Sequence, residues 1–141
     1  MINSKELDDL LPIVKTKVEA FIASCLSNNI KLSIVSTYRS LQQPNPSDHS
    51  SPLVNIVSFH NYRCAVDVIL LKQDDSIMAY IPDDVEQKLI QDKVIFLSKE
   101  AGLDQLEDIH IPTSTDPILI FHFHYTGGLT LAELLDGQQI I

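Results

Sequence analysis

The chain of 141 residues has no tryptophan, only two cysteines and four glycines, and 10 lysines and arginines against 19 aspartates and glutamates. Each shortage excludes something. Two thiols, Cys25 and Cys64, build neither a disulfide framework nor a four-thiolate zinc site. A net charge of −9 repels polyanions, so nucleic acid and anionic membranes are not expected partners. No run of 18 apolar residues exists, and no membrane span is expected. The start, Met1-Ile2-Asn3-Ser4-Lys5-Glu6, lacks the basic and apolar regions of a signal peptide. The expected location is therefore the cytoplasm, with release by lysis or signal-independent export as the alternative. What is present is 45% apolar material, enough for one core, and the length suits a single domain over 1–141.

Periodicity gives the elements. Residues 3 to 28 read as a helix, started by an Asn3…Glu6 pair resembling a capping box, with Pro12 as the alternative first turn. Leu10, Leu11, Ile13, Val14, Val18, Phe21, Ile22 and Cys25 form its apolar face. Lys31 to Thr37 alternates like a strand, and residues 42–52, with three prolines among polar residues, predict a long loop. Ala65 to Leu71 and Ile77 to Ile81, separated by Gln73-Asp74-Asp75-Ser76, predict a β-hairpin. A second helix is expected over 83–101, with Val85, Leu89, Ile90, Val94, Ile95 and Leu97 as its buried stripe and Gly102 at its end. Pro117 to Tyr125 reads as a core strand, and Leu129 to Leu135 as a short closing helix. That order predicts an α+β fold with a small, mainly antiparallel sheet flanked by helices.

Two places carry chemistry. Asp67 stands inside the apolar strand Ala65-Val66-Asp67-Val68-Ile69-Leu70-Leu71, and a carboxylate buried there must be paired or coordinate a metal. In Phe121-His122-Phe123-His124-Tyr125, strand alternation sends both histidines to one face and the aromatics to the other. Of the five histidines (His49, His60, His110, His122 and His124), His60 and His122 have the most suggestive surroundings. Imidazoles and a buried carboxylate are the material of a zinc site, although structural histidines are the commoner outcome for such residues.

Three segments in order carry a family resemblance: Ser36-Thr37-Tyr38-Arg39-Ser40, then Ser58-Phe59-His60-Asn61-Tyr62-Arg63-Cys64-Ala65-Val66-Asp67, then Phe121-His122-Phe123 before Thr126-Gly127-Gly128. Together they resemble the zinc D-alanyl-D-alanine carboxypeptidases and L-alanyl-D-glutamate endopeptidases of cell-wall metabolism, phage endolysins included. The resemblance implies the hedgehog/D-Ala-D-Ala peptidase-like α+β fold and Zn2+ held by His60, Asp67 and His122. It further implies Arg39 as the arginine facing substrate and stabilising the tetrahedral intermediate, and Ser58 as a hydrogen-bonding residue for substrate. The implied substrate is a peptidoglycan stem peptide or a similar small peptide.

The chain departs from that family where catalysis is concerned. The acid expected three residues before the last histidine is Leu119, which accepts no proton. Asp116 is the nearest upstream carboxylate and the candidate replacement; Glu107 and Asp108 are weaker ones. The family glycine within the Ser-x-His-Asn segment is Arg63, expected to fill or recharge the cleft. His124 stands as a replacement ligand, a residue bonded to a ligand, a substitute base, or simply a cleft histidine. Cys64 reads as a small buried hydrophobe rather than a nucleophile. The chain is thus expected to be a zinc peptidase or, with its general base gone, a metal-binding module for peptides or proteins.

Overall fold

The computed structural model describes residues 3–40, 58–105, 109–111 and 117–140, the segment 109–111 as backbone. The proline-rich stretch 42–52, His49, Glu107, Asp108 and Asp116 lie outside the described residues.

Helix α1 spans Pro12–Ser27, and Pro12 occupies its first turn, where a missing N–H costs nothing. The longer helix expected from residue 3 does not form. Leu7–Asp9 is a 3-10 turn, and Asn3 bridges to Arg39 in extended backbone instead of capping a helix. Val14, Val18, Phe21 and Cys25 face inward, while Ile13, expected on the same face, is exposed.

Among the described residues five antiparallel strands follow: β1 (Lys31–Ser36), β2 (Ala65–Leu71), β3 (Asp104–Gln105), β4 (Ile109–Ile111) and β5 (Ile118–His124). Their order is β1-β2-β5-β3, with β4 also paired to β5, so β2 and β5 are central. The α+β architecture with a small antiparallel sheet is as expected. On β5, Leu119, Phe121 and Phe123 are buried on one face, while His122 and His124 take the other. Opposite β2, Val68 meets Phe121 and Val66 meets Phe123, whereas Asp67 meets His122. Directly opposed residues share a face, so the sheet has an apolar side and a chemical side. The apolar side packs on α1, with the Phe21 ring edge-on to Phe123 at 5.1 Å. Fully buried aromatics such as Phe121 and Phe123 are each worth about 3–5 kcal/mol against alanine.

Strand β1 carries a β-bulge. Ile34 pairs with Val68, yet Ser36 rather than Val35 pairs with Asp67. The extra residue turns Ser36 onto the chemical side of the sheet.

Helix α2 (Val85–Glu100) is capped by Asp84, whose Oδ1 accepts from the N–H groups of Glu86 and Gln87. Its buried positions are Gln87, Val94, Leu97 and Ser98, with Ile90 and Ile95 partly buried against the core. Val85 and Leu89, expected in the stripe, are 73% and 65% exposed. The expected hairpin forms only at its turn, where Leu71 bridges to Ile77, and Gln87 explains why it goes no further. Its amide accepts from Ile81 N–H at 2.9 Å and donates to the Ala79 carbonyl at 2.6 Å. Residues 79–81 are thereby tied to the helix, and Tyr80 N–H donates to the Pro117 carbonyl. The hairpin is therefore short: Lys72 N–H donates to the Ser76 carbonyl at 2.7 Å and Met78 N–H to the Leu70 carbonyl at 3.0 Å, around the Leu71–Ile77 bridge.

Helix α3 (Leu131–Leu135) starts at a capping box in which Thr130 and Glu133 satisfy each other's backbone N–H. Among the described residues no helix is long and apolar enough to cross a membrane. Gln87→Ala would remove two part-buried hydrogen bonds, each worth about 0.5–1.5 kcal/mol net, and a loss of about 1–3 kcal/mol is expected from urea unfolding. A loss below the error of the measurement would contradict the anchoring role.

Candidate metal centre

The chemical side of the sheet is built around Asp67 in the middle of β2. Cross-strand pairing with β5 sets His122 directly beside it. His60 arrives differently, from a 3-10 turn (Phe59–Tyr62) that precedes β2. That turn is sewn to the residues following β1. Arg39 N–H donates to the His60 carbonyl at 3.2 Å, and the Asn61 amide donates to the Arg39 carbonyl at 2.9 Å. Asn61 also accepts from Ser58 N–H at 2.7 Å, which closes the turn's start. Asn61 lies within the motif, but its part in docking the turn becomes visible only in three dimensions.

His60, Asp67 and His122 converge as expected. Their donor atoms all lie within 4.8 Å of one another, and the group could hold a metal ion. His60 Nε2 is 3.1 Å from Asp67 Oδ1, and His122 Nδ1 approaches the same oxygen. Close as they are, His60 Nε2, Asp67 Oδ1 and His122 Nδ1 are buried without a hydrogen-bond partner. Tautomer chemistry explains the His60 contact. Its Nδ1 lies 2.8 Å from the Thr37 carbonyl, which can only accept, so Nδ1 carries the proton. In the neutral ring Nε2 then presents a lone pair to a carboxylate oxygen. Two acceptors facing each other in a buried place call for a cation between them. A carbonyl-anchored imidazole is also the usual arrangement of a metal-ligating histidine.

Burial pushes the Asp67 carboxyl up, but the His122 and His60 imidazoles beside it outweigh that and hold it well below the usual carboxylate range. Its other oxygen, Oδ2, accepts from Arg39 Nη2 at 2.8 Å. The side chains grade from sealed to open: His60 is fully buried, Asp67 and His122 are 7% and 14% exposed, and Arg39 is 37% exposed. The centre is thus reached from the Arg39 and His122 side.

The remaining candidates are placed as follows. Arg39 contacts the centre through Asp67. Ser58 is the cap residue of the 3-10 turn, half-buried at its start. Leu119 is buried in the core face of β5, opposite to His122. On an unbroken strand a residue three before His122 must point away from it, so a leucine fits that position. Arg63 does not fill the cleft. Its side chain turns to the Asp9 carbonyl at 3.0 Å and stacks over Tyr38 at 3.9 Å. Its backbone is left-handed at φ 59°, which is the conformation that favours glycine at this position.

His124 is not in the donor group. Its ring stacks on Phe59 at 4.5 Å, and its Nδ1 is buried without a partner. Burial lowers its pKa, Asp104 opposes this, and His122 adds to it. Two apolar pockets of about 430 and 530 Å3 lie beside α2 and share no residue with the centre.

Cys64 is fully buried, its thiol donates to the Phe59 carbonyl at 3.2 Å, and burial pushes its pKa up to about 12. Cys25 is likewise buried, with its pKa raised to about 11. Neither forms thiolate near neutral pH. Native protein is expected to leave both thiols unreacted toward a disulfide reagent, with two equivalents appearing on denaturation. Fast native labelling of Cys64 would restore a nucleophile reading.

No protein-family model matches the chain, and no curated protein matches it.

Proposed function

We propose that the protein is a zinc-dependent peptidase acting on small peptides of the peptidoglycan-stem type. The observation that carries this is the convergence of three buried donor atoms that lack hydrogen-bond partners, on residues whose order resembles the cell-wall peptidases. Two imidazoles and one carboxylate suit zinc better than magnesium or calcium, which take oxygen ligands. Three protein ligands leave a fourth place open. Bound there, zinc would lower the pKa of a water molecule and polarise a peptide carbonyl.

The chain's own residues supply the rest. Asp67 stays ionised at neutral pH, and the Thr37 carbonyl holds His60 in the tautomer a metal requires. Arg39 commits Nε and one Nη2 proton to Ser36 and Asp67. The rest of its part-exposed guanidinium is the proposed partner for negative charge developing on the substrate oxygen. Ser58, at the start of the His60 turn, is the proposed substrate hydrogen-bonding residue. Asp116 is the proposed acid–base in the role that Leu119 cannot fill.

One observation favours a second reading, a metal-binding relative that holds peptides or a partner without cutting them. Leu119 belongs to the core, and Asp67 is the only carboxylate of the donor group among the described residues.

Two measurements separate these readings. Purified protein is expected to hold close to one equivalent of zinc, lost in His122→Ala; zinc far below one equivalent contradicts both. Zinc-loaded wild type is expected to cleave muropeptide stems, with Asp116→Asn slower by about 10²–10⁴-fold. Stoichiometric zinc with no product supports the silent reading, and unchanged turnover removes Asp116 from the mechanism.

A further inference from the structure

We infer that Ser36 and Asn3 are positioning residues of the metal centre: acting through Arg39, they hold Asp67 as a one-oxygen ligand and couple the N-terminal segment to metal affinity. This rests on the metal reading above.

The β1 bulge is the starting point. In a regular ladder Val35 would face Asp67; because the bulge leaves Val35 unpaired with β2, Ser36 takes that position. Arg39 has donors only, so its Nε–H, 3.0 Å from Ser36 Oγ, uses a lone pair of the hydroxyl. The hydroxyl's single proton then needs an acceptor, and Asn3 Oδ1 provides one at 2.8 Å. Every polar atom of this chain of bonds has one sense only: Arg39 to Ser36 to Asn3.

The guanidinium is planar and rigid, so fixing Nε also fixes where Nη2 points. It points to Asp67 Oδ2, at 2.8 Å, in a charge-assisted bond. With Oδ2 occupied, Oδ1 is the oxygen turned to His60 and His122. Ser36 and Asp67 are 2% and 5% exposed, so little water is at hand to replace a lost bond. Asn3 is itself held by its neighbour: Thr37 N–H donates to the Ser4 carbonyl at 2.8 Å and Ser4 N–H to the Tyr38 carbonyl at 2.7 Å. Residues 3 and 4 are thus the outer wall of the centre.

Removing the hydroxyl frees the guanidinium to swing toward solvent and lets Asp67 offer both oxygens. Loss of such an outer partner typically costs about 10–100-fold in metal affinity. The test is cobalt(II) binding to the full chain, read by chelator competition for affinity and by visible absorption for coordination number. Ser36→Ala is expected to bind about 10–100-fold more weakly, with the weaker absorption of a higher-coordinate ion. Ser36→Thr keeps the hydroxyl and is expected to restore both, and Asn3→Ala is expected to shift both in the direction of Ser36→Ala.

Folded Ser36→Ala with wild-type affinity and spectrum overturns the inference, as does Ser36→Thr as impaired as alanine. Should Ser36→Ala fail to fold, Arg39→Lys takes its place: an ammonium on a flexible stem lacks the rigid plane that lets Ser36 fix the donor to Asp67, so the same loss is expected, and unchanged binding overturns it. A wild type that takes up no cobalt overturns the metal reading and this inference with it.

Discussion

A carboxylate in the middle of a central strand is the constraint on which the structure turns. Asp67 is almost sealed from water, and an unpaired charge there would cost several kcal/mol. Its ion pair comes from Arg39 after β1, while the imidazoles of His60, on the turn before β2, and His122, on β5, converge on its other oxygen. Docking those parts around one carboxylate explains why the 3-10 turn is tied to residues 37–39 and why the N-terminal residues leave helical geometry to close the outside. The packing of the chemical side follows from the need to satisfy one ion.

The two central strands divide their work by parity. Alternate residues of β2 and β5 build the apolar core with α1, and those between them carry Asp67 and His122. This division gives Leu119 and Arg63 physical meanings that a motif comparison misses. Leucine at 119 is a core residue because the strand runs unbroken to His122. Arginine at 63 is accommodated because its side chain turns to Asp9 and Tyr38, away from the His60–Asp67–His122 group.

Much of this was legible in the sequence because period-two alternation is a local signal. It placed Asp67 inside a buried strand and both histidines of β5 opposite the aromatics. The family resemblance of the Ser58–Asp67 segment then implied His60 as the third member of the group. Less legible were features that depend on long-range partners. The bulge that faces Ser36 to Asp67 leaves no mark in Lys31–Ser36, and Asn3 resembled a helix cap until its partner proved to be 33 residues away. Gln87 broke the hydrophobic rule of α2 because a buried amide was needed to tie down residues 79–81. Apolar periodicity also assigned Val85 and Leu89 to the core, yet both face solvent.

X-ray absorption at the zinc edge of the metal-loaded protein tests the His60–Asp67–His122 centre most directly. Two imidazole nitrogens and carboxylate oxygen at about 2.0–2.2 Å, with no sulfur, are the predicted first coordination sphere. Sulfur at about 2.3 Å, or a sphere of oxygen without imidazole, would contradict it.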